Sequence, residues 1–185
     1  MKNLFFLLLP AFLFSCGGVD QYRASIESLA ADWDSTTTAV TEFGNALNSD
    51  LASFSRTSAE LRFDDETMKK LKPEQATAWQ NAQSALAQSL QAFAPIRTQV
   101  AEFTKSWQEK AAEVQALQDG LAAGKLEGNV ATQVADLNAL VTQANESLTS
   151  WKTAHAAAKT RAQAAADSLK STYDSLLAAV APGKK

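Results

Sequence analysis

Apolar side chains recur along this chain at alternating steps of three and four residues, in three long segments. In the first they are Val19, Tyr22, Ile26, Leu29, Trp33, Thr36, Val40, Phe43 and Leu47, then, after a slip, Leu51, Phe54 and Leu61. The second carries Trp79, Ala82, Leu86, Ser89, Phe93, Ile96, Val100, Phe103, Trp107, Lys110, Val114, Leu117 and Leu121. The third carries Val130, Val134, Leu137, Val141, Ala144, Leu148, Trp151, His155, Ala158, Ala162, Ala165, Leu169, Thr172 and Leu176. This spacing keeps one stripe of a helix facing its partners. It predicts helices near 19–62, 74–120 and 129–180, each roughly 65–75 Å long at about 1.5 Å per residue.

The breaks between segments carry stop and start signals. Phe63-Asp64-Asp65-Glu66 opens a charged connection ending at Lys72-Pro73-Glu74. Pro73 suits the first turn of a helix, where a missing N–H costs nothing. Asp119-Gly120, Gly124 and Gly128-Asn129 mark the second connection, with Asn129 as N-cap. Short connections make neighbours antiparallel. The expected fold is therefore all-α: an elongated antiparallel three-helix bundle with coiled-coil-like packing over 19–185. Counted along the helices, Trp33 and Trp107 share a layer. Phe43, Ile96 and Trp151 share another. Residues 62–73 and the C-terminal Pro182-Gly183-Lys184-Lys185 lie at the far tip.

Composition agrees with long helices: Gly and Pro number only 7 and 4 among 185 residues. The net charge is −3. Scattered lysines on an acidic chain argue against nucleic acid as a partner. The single cysteine rules out an internal disulfide, so packing alone must hold the body together.

That cysteine, Cys16, follows Lys2, an apolar run over 4–14, and Leu13-Phe14-Ser15. The run is too short to span a bilayer as a helix. This arrangement resembles a bacterial lipoprotein signal peptide ending in a lipobox, with Phe14 larger than the residue usual at its position. The resemblance covers residues 1–18 and concerns processing. It implies cleavage after Ser15, a diacylglyceryl group on the Cys16 sulfur, and a short tether over 16–18. It also accounts for a lone thiol in an exported chain, where cysteines otherwise come in pairs. Gly17 after the cysteine implies passage to the outer membrane under the enterobacterial sorting rule.

No catalytic constellation is legible. His155 is the only histidine and occupies a stripe position, which reads as a structural core residue. Asp64-Asp65-Glu66 reads as the acidic start of a helical turn before Met68-Lys69-Lys70, and a calcium loop would need more oxygens and a turn glycine. The four tryptophans fall on the stripe and read as core packing instead of a ligand cage. Metal, phosphate-loop and nucleophile motifs are absent from the sequence. The sequence thus points to a non-enzymatic, cofactor-free binding or scaffolding module, lipid-anchored in a bacterial envelope beside a protein partner. The competing expectation is a carrier or sensor of an apolar ligand held between the helices.

Mid-shaft, Pro95 sits inside the second helical segment, where proline costs about 3 kcal/mol. The stripe runs through it unbroken, which predicts one kinked helix. Gly44 and Ala154-His155-Ala156 count to the same height. The expectation is a kink at this level, with His155 facing Phe93 or Pro95 and donating to the Gln91 carbonyl that Pro95 leaves free, or to a water bridging to it.

Overall fold

The computed structural model describes residues 18–181, so Cys16 and the 182–185 tail lie outside it. The described residues form helices α1 (Asp20–Glu60), α2 (Asp65–Lys70), α3 (Pro73–Gln91), α4 (Phe93–Ala122) and α5 (Val130–Val180), with no strand among them. At 1.5 Å per residue, the 41 residues of α1 and 51 of α5 span about 60 and 75 Å. No described helix is long and apolar enough to cross a membrane.

The boundaries follow local chemistry. Asp64 accepts a hydrogen bond from the Thr67 amide at 2.7 Å and starts α2. Pro73 opens α3, and the Gln75 side chain accepts from the Lys72 amide at 2.9 Å. Asn129 caps α5 by accepting from the Thr132 amide at 3.2 Å. The helix before it runs past the expected stop at Asp119-Gly120 and ends at Ala122. Gly124 (φ 69°) and Gly128 (φ 74°) make the turns that follow, in a backbone region that glycine enters at little cost.

The single helix expected over 74–120 is two helices, α3 and α4, separated at Ala92. Proline's ring clashes with the carbonyl four residues earlier, here that of Gln91. The helix yields just ahead of the ring: Ala92 keeps α-like angles (φ −64°, ψ −17°), and its amide reaches back to the Ser89 carbonyl at 3.3 Å. Pro95 then falls in the first turn of α4, where its missing donor leaves no bond unmade.

The break changes partners. α4 packs chiefly against α1, whereas α3 packs chiefly against α5 and scarcely touches α1. Ala158, Ala162 and Ala166 are all buried on the face of α5 in the core that α3 shares. Small side chains there allow two helices to approach closely. Aromatic pairs set the order of the layers. Trp33 stacks on Trp107, Phe43 on Trp151, and Phe54 tilts against Phe93. Beyond the end of α1, Phe63 stacks on Tyr173 and meets the edge of Trp79. As α1 advances, its partners on α4 recede and those on α5 advance.

The buried stripe matches the 3-4 pattern with two local shifts. Lys110 is exposed and pairs with Glu113 at 2.6 Å, while Ala111 turns inward. Ala166 is more deeply buried than Ala165. Each shift is one residue, the drift expected where 3.6 residues per turn meet a seven-residue repeat. The core falls into two clusters, and Phe103 packs against both.

Candidate functional site

Of the residues singled out in sequence, His155 has the most constrained surroundings. It projects from α5 between Phe43 of α1 and Phe93 of α4, edge-on to both rings at centroid distances of 5.6 and 5.8 Å. Its side chain is 12% exposed. The ring does not reach the Gln91 carbonyl. Its Nε2 lies 3.0 Å from Asp50 Oδ2 on α1, and the pair lacks the alignment of a hydrogen bond. Asp50 Oδ1 accepts from Lys159 Nζ at 2.9 Å, one turn along α5. One carboxylate thus ties α1 to two successive positions of α5. Sequence reading missed Asp50 and Lys159, because an ion pair between helices leaves no mark in the periodicity of either.

Phe43 and Phe93, which flank His155, stand one residue before Gly44 and two before Pro95. Gly44 opposes Val100: a Cβ built on it would lie 3.9 Å from Val100 Cγ1. Pro95 is exposed at the start of α4. Among the described residues no group of histidine and carboxylates can hold a metal ion.

The tryptophans serve packing. Trp107 Nε1 donates to Thr37 Oγ1 at 2.8 Å, and that hydroxyl donates to the Trp33 carbonyl at 2.8 Å. Trp151 Nε1 donates to Gln99 Oε1 at 3.0 Å. All four indoles are at least 93% buried, which leaves no cage open to a cation. At the tip, Thr67 bonded to Asp64 holds that carboxyl below its usual range, and Lys69 pairs with Glu66 at 2.9 Å.

An open groove of about 750 Å³ lies on the outer side of the α1–α4 contact. Leu47 and Val100 form its floor, and Arg97 and Lys105 stand at its rim. It is a surface channel between two helices. No protein-family model, curated protein or solved structure matches this chain.

Proposed function

We propose that this chain is a lipid-anchored protein of a bacterial cell envelope whose body is an elongated antiparallel three-helix bundle, acting as a binding or scaffolding module. The observation that carries this reading is the run Leu13-Phe14-Ser15-Cys16-Gly17 behind a short apolar segment. Acyl chains on the Cys16 sulfur contribute about 0.8 kcal/mol per buried methylene, and two or more hold a protein stably at a bilayer. The order of aromatic layers supports the bundle, with α3 and α4 together forming its middle arm. Such a body reaches about 60 Å from the lipid surface, by the helical rise. Gly17 favours the outer membrane, with the body facing the periplasm. The partner is another envelope protein. Nucleic acid, cofactor and catalytic step have no part in this reading.

The test is Cys16→Ser in the full chain. The parent protein should enter the detergent phase on phase separation, and the variant should lose both that partitioning and cleavage after Ser15. A variant still cleaved there and still membrane-bound overturns the anchor.

The α1–α4 groove favours a second reading, a carrier or sensor of an apolar ligand. Organic extraction of the purified protein separates the two: a lipid recovered in equimolar amount, beyond the covalent acyl chains, identifies a carrier.

A further inference from the structure

We infer that the groove between α1 and α4 is a docking site for an acidic amphipathic helix of a partner protein. The proposal rests on the reading of the body as a binding module and names the surface and the partner's chemistry.

The first observation is Gly44. It lies in the interior of α1, where glycine weakens a helix relative to alanine. Its φ is not positive. A Cβ there would make an ordinary contact 3.9 Å from Val100. Neither the backbone nor the packing of this chain therefore requires glycine. What the missing side chain does produce is a notch in the groove wall, open to the outside and floored by Val100 and Leu47.

Charge is the second observation. Arg97 and Lys105 line the groove and no acidic residue does, although the whole chain carries a net charge of −3. Among the described residues neither cation has an ion-pair partner. They are separated by two turns of α4, about 12 Å at 1.5 Å per residue. Carboxylates seven residues apart on a docked helix stand about 10.5 Å apart by the same rise and can meet both cations. A helix laid in a groove presents its anchors at such intervals. A single-headed lipid would satisfy one cation and leave the other against its tail.

The probe is a synthetic helix of about 15 residues, with leucine and alanine on one face and two glutamates one heptad apart. A matching peptide carries lysines at those positions. Binding to the full chain is read by fluorescence anisotropy. The glutamate peptide should bind at least about tenfold more tightly than the lysine peptide and weaken with added salt. Arg97→Glu with Lys105→Glu, both on exposed side chains, should reverse the preference. Gly44→Leu should block binding by filling the notch, with circular dichroism confirming an intact fold. Equal binding of the two peptides, or no binding, overturns the proposal, as does oleate displacing the peptide while the charge-reversed variant still binds it. Photo-crosslinking in cells from positions 98, 131 and 160 separates this failure from that of the binding module itself. Crosslinks to an envelope protein from 131 or 160 but not 98 sink the groove alone, and none from any position sinks both.

Discussion

Trp33 and Trp107 lie face to face, their ring centroids 3.5 Å apart and their planes within 7°. They come from α1 and α4, and Thr37 fastens the second indole to the backbone of the first. Phe103 stacks on Trp107 at 5.3 Å. The contact therefore joins apolar burial, ring stacking and a satisfied indole N–H in one layer.

Removing either ring should cost about 3–5 kcal/mol, as for other buried aromatics. Denaturant unfolding of Trp33→Ala and Trp107→Ala measures it. Lys105→Ala, on an exposed side chain, should stay within about 0.5 kcal/mol of the parent. Thr37→Val should lie between, at about 1–3 kcal/mol, because it leaves a buried indole donor without its acceptor. Equal costs at Trp107 and Lys105 would show that the buried face is misplaced.

Two glycines should respond to alanine with opposite sign. Gly120→Ala places a Cβ 2.8 Å from the Lys125 carbonyl oxygen, a backbone atom of a residue whose own amide donates to the Gly120 carbonyl at 2.8 Å. Overpacking of this kind costs about 1–3 kcal/mol. Gly44→Ala meets only ordinary contact and should raise stability by up to about 1 kcal/mol. Thermal unfolding of the two variants beside the parent gives both signs in one experiment.

Pro95→Ala should change stability by well under the ~3 kcal/mol of a proline strained in mid-helix, since the chain already breaks at Ala92. Its clearer effect is local. Hydrogen exchange at residues 92–96 should slow as α3 and α4 join into one helix. Unchanged exchange there would mean that the partner change from α1 to α5, and not the ring, holds the break open.

Two exposed groups contribute to opposite pH limbs. Asp64 titrates below its usual 3.8 because the Thr67 hydroxyl and amide bond its carboxylate. Its contribution to stability is present above pH 3.8 and is lost as pH falls through the lowered value. Lys170 titrates above 10.5 because its ammonium donates a hydrogen bond to Asp174 at 2.7 Å and the carboxylate adds opposite charge. Its contribution is present below pH 10.5 and is lost as pH rises through the raised value. Asp64→Asn keeps an N-cap without a titrating group and should flatten the acid limb. Lys170→Gln should flatten the alkaline one. Unfolding midpoints across the two pH ranges test both.

The stripe residues of α1 were legible in sequence down to single positions: Ile26, Leu29, Trp33, Val40, Phe43, Leu47 and Phe54 are all buried. Caps at Pro73 and Asn129 were legible for the same local reason, since a cap is a bond within one turn. Phe63 opens a charged connection in sequence, yet it packs between Trp79 and Tyr173. An isolated apolar residue beside acids has no periodicity to reveal it. Lys110 was placed on the stripe by counting heptads, and the straight helix carried it outward.

Periodicity and local caps determined that this body is helical, most of the buried face of each helix, and the turns before Pro73 and Asn129, because those properties are set within about one turn of each residue. Tertiary structure decided against which neighbour each face is buried. The middle arm leaves α1 for α5 at Ala92, the alanine seam of α5 receives α3, and Asp50 meets His155 and Lys159 across more than a hundred residues of chain. A hydrophobic stripe is satisfied by any apolar partner. The choice among partners rests on helix direction after the Pro95 clash, on side-chain volume at Ala158, Ala162 and Ala166, and on charges that pair only once the helices are side by side.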